Sequence, residues 1–155
     1  MTKSSSTRTH RGDEMPLIQP EQIVDVAREC LGANFRHQGR SPITGLDCIG
    51  VVLYDARRLN ITQYEPPAYQ RHAKWHEFLK LFAENLDAVK GPPQIGDILC
   101  FRQEKYPCHC GILTGERFIH AYALRRKVVE ELYSPRWRLL TRAVFRYPGV
   151  AVVET

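Results

Sequence analysis

The order of the predicted elements indicates an α+β fold, with helices in the first half of the chain and strands in the second. Two observations predict it. Helical apolar patterns precede the break at Gly91-Pro92-Pro93, and five short β-like runs follow it. A chain of 155 residues with 43% apolar content can bury one core. We therefore expect a single domain over residues 16–155.

The first predicted helix follows a polar segment. Residues 1–15 show no apolar periodicity, so we expect a disordered leader there. Pro20 opens the helix, one face of which is apolar, and Gly32 lies where helices usually end. Cys30 lies on the apolar face and is predicted to be in the core.

Two further helices are predicted. A loop rich in glycine and proline over residues 33–45 leads to Asp47, a good N-cap, and the residues from there to Leu59 are apolar on nearly every side. This pattern is typical of a buried central helix. A third, amphipathic helix is expected from about Arg71, with an apolar face made of Trp75, Leu79, Phe82 and Leu86.

The second half predicts strands and one informative hairpin. The strands are expected at Ile98 to Arg102, His109 to Leu113, Arg117 to Ala123, Val128 to Leu132 and Ala143 to Tyr147. A two-residue turn at Thr114-Gly115 would place Ile112 opposite Arg117 and His109 opposite His120. Directly opposite residues project from one face with Cβ atoms about 4.5–5.5 Å apart, so the two imidazoles are expected to meet.

Cys48 falls in the first turn of the central helix. The free N–H groups and positive end of a helix N-terminus lower the pKa of a thiol and can hold an oxyanion. Alternatively, Cys48 could simply be a small buried core residue on an apolar helix. Position alone therefore leaves both a nucleophile and a core residue open.

The histidine pair favours the nucleophile. A base needs a third group that fixes its tautomer and ring direction, and His120 could provide this for His109. In a strand, Cys108 and Cys110 alternate away from His109, and no second Cys or His pair completes four zinc ligands. We expect Cys110 in the core, and neither a metal nor another cofactor.

Charge and composition narrow the partners. The net charge of +5 and pI near 9.1 favour anionic partners, but Lys and Arg are scattered without an aromatic-rich basic stripe, which disfavours nucleic acid. No apolar run approaches the roughly 20 residues of a membrane span, and no signal peptide is visible. We expect synthesis in the cytoplasm and, from five cysteines, reduced thiols.

Four motifs resemble the NlpC/P60 family of cysteine peptidases: Gly45-Leu46-Asp47-Cys48-Ile49-Gly50-Val51-Val52, Gly96-Asp97-Ile98-Leu99-Cys100-Phe101, His109-Cys110-Gly111-Ile112-Leu113 and Phe118-Ile119-His120-Ala121. Their order and spacing both match, over about Ile18 to Gly149. The resemblance implies a papain-like core, no metal, and cleavage of peptidoglycan stem peptides with Cys48, His109 and His120 as the catalytic set. Phe35-Arg36-His37-Gln38 and Ala143-Val144-Phe145-Arg146-Tyr147-Pro148 look most like the members encoded among phage tail genes, which implies tail-protein partners and a virion location.

Two positions depart from that family. Many members carry serine where this chain has Ile49, and a tyrosine where it has Phe35, which lacks the hydroxyl. Candidates for contacting the substrate or oxyanion are Asp47, Phe35, His37 and Gln38, on placement alone. Two other functions stay open: a structural tail component without activity, and an amidase or acyltransferase that uses the same thioester chemistry on another substrate.

Overall fold

The computed structural model describes residues 16–105 and 107–153, so the leader predicted for residues 1–15 lies outside the described residues. The helices are α1 Pro20–Arg28, α2 Cys48–Arg58, α3 Trp75–Asn85 and α4 Pro135–Leu140. The strands are β1 Arg40–Ser41, β2 Gly45–Leu46, β3 Asp87–Ala88, β4 Ile98–Phe101, β5 His109–Leu113, β6 Arg117–Tyr122, β7 Lys127–Leu132 and β8 Thr141–Arg146. Within these ranges, no helix has the length and apolar character to cross a membrane.

Six strands form one antiparallel sheet in the order β3-β8-β4-β5-β6-β7, and β1 pairs with β2 in a separate hairpin. Three of the helices come before the main run of strands. The predicted α+β class is therefore confirmed. The short connections from β5 to β6 and from β6 to β7 suit antiparallel pairing.

Apolar residues cover both faces of this sheet. The face that packs on α1, α2 and α3 contributes alternate strand residues, including Ile98, Cys100, Cys110, Ile112 and Ile119, to the larger core. The other face packs on α4 and contributes Leu99, Phe101, Leu113 and Phe118 around Trp137. Cys30 and Cys110 are fully buried in the larger core, as predicted.

The sequence prediction missed α4, although its start carries ordinary signals. Ser134 Oγ accepts a hydrogen bond from the Trp137 amide, and Pro135 occupies the first helical position. The helix has only six residues, too few to show an apolar period. Trp137 nevertheless covers the sheet face on which both histidines lie, with its ring centroid 5.3 Å from that of His120.

The predicted register of the β5–β6 hairpin is wrong by two residues. Leu113 pairs with Phe118 and Ile112 with Ile119, while the Thr114 amide bonds to the Arg117 carbonyl at 2.8 Å. The turn is therefore Gly115-Glu116, with Gly115 at φ +148°, which suits glycine at the first central position of a hairpin. Counting back puts Gly111 opposite His120. Because a shift of two preserves the face, the histidines still meet, as diagonal neighbours.

The third helix begins at Trp75 rather than at Arg71. The preceding segment, residues 66–74, runs without regular structure, and its Tyr69 and Ala73 carbonyls accept hydrogen bonds from side chains elsewhere in the fold. Phe78 and Phe82 are the buried side chains of α3, whereas Trp75 and Leu79, which the predicted face included, are only partly covered.

Candidate active site

The start of α2 places Cys48 at the positive end of a helix. Asp47 caps this helix, with Oδ1 accepting a hydrogen bond from the Gly50 amide at 2.7 Å. Within the described residues, no hydrogen bond engages the amides of Cys48 and Ile49. These two N–H groups therefore remain available to an oxyanion that forms beside the Cys48 sulfur.

The carboxylate of Asp47 is buried and fully engaged. Besides the Gly50 amide, it accepts hydrogen bonds from the Gln38 amide at 2.7 Å and from the Tyr69 hydroxyl at 2.6 Å, while Arg40 Nη1 lies 3.3 Å away. Asp47 is 4% exposed. A carboxylate with four donors holds the surrounding segments in place and has little capacity left for a substrate.

A chain of hydrogen bonds leads away from the site through two imidazoles. His109 Nε2 lies 2.6 Å from His120 Nδ1, and His120 Nε2 lies 2.6 Å from Glu131 Oε2. Trp137 Nε1 donates to the other oxygen of Glu131 at 3.3 Å. Both rings are buried, with His109 6% and His120 0% exposed. The expected contact between the histidines is present, and it continues to a carboxylate that was not predicted.

Electrostatic interactions make Cys48 the thiol that ionises most readily. A hydrogen bond from the Cys110 thiol and the neighbouring His109 imidazole together lower the pKa of Cys48 to about 6, against the opposing effects of burial and of the Asp47 charge. Burial raises the pKa of the other four thiols, to about 12 for Cys30 and about 11 for Cys108. Since the thiolate is the nucleophile, the site activates one cysteine of five.

Burial acts on the histidines in the opposite direction. It lowers the pKa of His109 and of His120, which favours neutral imidazoles at pH 7. A neutral His109 can accept the proton of Cys48. Thiol and base are thus both adjusted for proton transfer between them.

A groove of about 660 Å³ opens over Cys48 and His109. All nine residues of the segment 66–74 line it, together with side chains from α3 and from the end of β6. This segment is held beside the nucleophile at several points: His37 and Gln38 donate to the Tyr69 carbonyl at 3.1 and 2.6 Å, and the Cys108 thiol donates to the Ala73 carbonyl at 3.0 Å.

The loop residues named as substrate or oxyanion candidates take different places. Phe35 and His37 line the groove next to Asp47 and Cys48. The Gln38 side chain instead holds the Tyr69 carbonyl, and its amide N–H binds Asp47. Its role in the structure is therefore to support the 66–74 segment.

Sequence reasoning missed Tyr69 and Glu131. Tyr69 brings a hydroxyl to Asp47 from 22 residues away, and nothing in an irregular loop signals such a contact. Glu131 had a usable signal, because it lies in a predicted strand next to the strand of His120. His120 pairs with Val129, so Glu131 is its diagonal neighbour on the same face.

The His, Cys, Asp and Glu side chains of the described residues are not grouped as metal ligands. Among residues 16–105 and 107–153, no cluster of three or more His, Cys, Asp and Glu side chains could hold one. The chemistry available to this arrangement is that of a thiolate, a neutral imidazole and free amide donors, which is the set required for acyl transfer through a thioester.

Comparison with protein families finds a match for most of the chain. A model of the NlpC/P60 family matches residues 32–146, a range that contains Cys48, His109, His120 and Glu131. No curated protein sequence matches the chain.

Solved structures share the fold at low identity. The NlpC/P60 domain of the peptidoglycan hydrolase SagA is 22% identical with a TM-score of 0.54, and the match covers 81% of this chain and 97% of that one. An NlpC/P60 family protein from Bacillus cereus is 21% identical with a TM-score of 0.64, and NlpC1 from Trichomonas vaginalis 20% identical with a TM-score of 0.60. Those matches cover 86% and 83% of this chain but only 41% and 44% of the other chains, so this chain spans less than half of their length.

Proposed function

The chain belongs to the NlpC/P60 family, and from this premise we propose that it is a cysteine peptidase that hydrolyses an amide bond in peptidoglycan stem peptides. The observation that carries the proposal is the pairing of Cys48, whose pKa is lowered at a helix start, with the buried imidazole of His109 at the base of an open groove. SagA, one of the structural relatives, is named a peptidoglycan hydrolase.

In the proposed reaction, His109 takes the proton of Cys48 and the thiolate attacks the carbonyl carbon of the stem peptide. The amides of Cys48 and Ile49 donate to the oxyanion. His109 then protonates the leaving amine, which departs and leaves a thioester on Cys48. Water, deprotonated by His109, hydrolyses the thioester and restores the thiol.

The overall charge supports a substrate that carries carboxylates. The whole chain carries a net charge of +5, and stem peptides carry free carboxylates, so the overall charge favours their approach. Within the groove, Arg71 and Lys74 are exposed, but the carboxylates of Asp47 and Glu77 line it as well and balance their charge.

The experiment that tests the peptidase incubates purified protein with purified peptidoglycan fragments and follows released peptides by mass spectrometry. We expect products from the wild type and none from Cys48→Ala. Cys108→Ser is the matched control, because this thiol lines the same groove but burial raises its pKa to about 11, and we expect it to keep activity. Cleavage by Cys48→Ala would overturn the proposal. Absence of products from the wild type would favour another acyl substrate or a structural role.

A phage tail is the proposed setting of this activity. The support is the similarity of Phe35-Arg36-His37-Gln38 and of the segment from Ala143 to Pro148 to peptidases encoded among phage tail genes. Mass spectrometry of purified particles, released by prophage induction of the strain that encodes the chain, is expected to find the protein. Its recovery only from the soluble fraction of the induced cells would contradict a tail location.

A further inference from the structure

We propose that Glu131 is a positioning residue that sets which nitrogen of each histidine carries a proton, so that Nδ1 of His109 is the atom that accepts the proton of Cys48. This inference rests on the proposed use of Cys48 and His109 and adds a fourth member to their chain. Two hydrogen bonds of 2.6 Å and one of 3.3 Å connect His109, His120, Glu131 and Trp137.

Glu131 fixes the tautomer of His120. An ionised carboxylate can only accept hydrogen bonds, so His120 Nε2 must carry the proton in its 2.6 Å contact with Glu131. The bond from His120 also lowers the pKa of Glu131, which keeps the carboxylate charged. A neutral imidazole carries one N–H, and therefore Nδ1 of His120 is an acceptor.

The tautomer of His120 in turn fixes that of His109. Its Nε2 faces the acceptor Nδ1 of His120 at 2.6 Å and must therefore donate. Its Nδ1 is then unprotonated and is the nitrogen left for Cys48. The protonation pattern required of a general base at His109 thus follows from a carboxylate two hydrogen bonds away.

Aromatic rings surround His120. The ring centroids of Phe118, Tyr122 and Trp137 lie 4.4, 4.8 and 5.3 Å from that of His120, and none of these side chains is charged. Arg125 is the charged group that acts on both His120 and Glu131 through space. When Cys48 passes its proton to His109, one proton moves and Glu131 keeps its charge, which stabilises the imidazolium that forms.

Trp137 determines which end of the carboxamide would face His120 in the variant Glu131→Gln. Its indole Nε1–H can only donate, and it donates to Oε1 of Glu131. In Glu131→Gln, this contact selects the carboxamide oxygen and turns the NH₂ group towards His120. His120 Nε2 then accepts, both tautomers reverse, and His109 presents an N–H to Cys48 instead of a lone pair.

The test measures alkylation of Cys48 by iodoacetamide as a function of pH, with peptide mass spectrometry to read each cysteine separately. We expect Glu131→Gln to move the midpoint of Cys48 alkylation upward by about one pH unit, because the variant lacks the carboxylate charge that stabilises the His109 imidazolium beside the thiolate, and this corresponds to about tenfold less thiolate at low pH. In the peptidase assay, kcat is expected to fall about 100-fold with little change in KM, the lower end of general-base contributions.

Three variants distinguish a positioning role of Glu131 from a general loss of structure. Glu130→Gln is the matched control, because Glu130 lies next to Glu131 on β7 but bonds to Arg28 and Thr114, and we expect a wild-type alkylation profile. Glu131→Gln combined with Trp137→Phe is expected to recover part of the loss in kcat, since the carboxamide can then rotate and present its oxygen to His120. Glu131→Ala with added acetate repeats the test should the amide variant not fold, and acetate is expected to restore alkylation.

The outcomes are decisive without a known substrate. An unchanged alkylation profile in Glu131→Gln, or no recovery on removing the indole N–H, would overturn the role of Glu131. A shifted profile in a protein that releases no peptides would leave the role of Glu131 standing and count against the peptidase alone.

Discussion

Replacement of Asp55 by asparagine is expected to flatten the pH dependence of stability. Asp55 lies on α2 and is 0% exposed, and neither of its oxygens has a hydrogen-bond partner among the described residues. Burial raises the pKa of Asp55 to about 9, with Glu29 adding to the shift and Arg58 opposing it. The folded protein therefore holds a proton on Asp55 that the unfolded chain has already released at neutral pH.

The sign and size of the effect follow from this difference in proton binding. An aspartate in the unfolded chain has a pKa of about 3.9, so below that pH both states are protonated and the group gives no slope. Between about pH 4 and 9 the folded state binds one proton more, and the free energy of unfolding falls by about 1.4 kcal/mol per pH unit. For a chain of this size, that corresponds to roughly 3–5 °C in Tm. Above pH 9 the slope vanishes again.

The assay is urea denaturation at pH 6, 7 and 8 for the wild type and Asp55→Asn. The difference in slope between the two isolates one group, whatever the other groups contribute. Asp25→Asn removes an exposed carboxylate on α1 and is expected to keep the wild-type slope. Equal slopes for the wild type and Asp55→Asn would refute the reasoning, because Asp55 would then be ionised in the folded protein.

Three further substitutions test packing around the site. Gly111→Ala brings a Cβ within 2.9 Å of a backbone oxygen of β6, and we expect a loss of about 1–3 kcal/mol in urea denaturation. Gly50→Ala places a Cβ 2.1 Å from the Gly39 carbonyl, so the loop before the nucleophile must move. We expect the loss of transition-state stabilisation, measured from kcat/KM, to exceed the loss in free energy of unfolding, measured by urea denaturation. Tyr147→Phe removes a buried 2.7 Å bond to the Val52 carbonyl, and calorimetry is expected to show a loss of about 1–2 kcal/mol.

Local sequence signals predicted the elements that position the nucleophile. Asp47 as N-cap gives a helix that starts at Cys48, and the apolar pattern gives its buried body. The strand His109–Leu113 was predicted with its observed bounds. Cap residues and apolar periods act within a few residues of chain, which is why they can be read without a structure.

Contacts between distant segments were harder to predict from the sequence. The hairpin register depends on which two residues form the turn, and these are Gly115-Glu116 and not the predicted Thr114-Gly115. Glu131 reaches His120 only through the next strand pairing, so its contact required the register of β6 and β7 as well as the two predicted strands. The histidine contact survived the error because side chains on a strand alternate with a period of two.

The surroundings of Asp47 show why the motif alone does not make the site. The cap that starts α2 puts a negative charge beside Cys48, and this charge opposes formation of the thiolate. The Asp47 carboxylate is in turn paired with Arg40 and accepts hydrogen bonds from the Gln38 amide and the Tyr69 hydroxyl. The cap rule predicts only the helix contact, while the other groups on Asp47 come from residues 38–40 and from Tyr69. The groups that lower the pKa of Cys48, the Cys110 thiol and the His109 imidazole, lie on β5. A lowered pKa at Cys48 is therefore a property of the assembled fold.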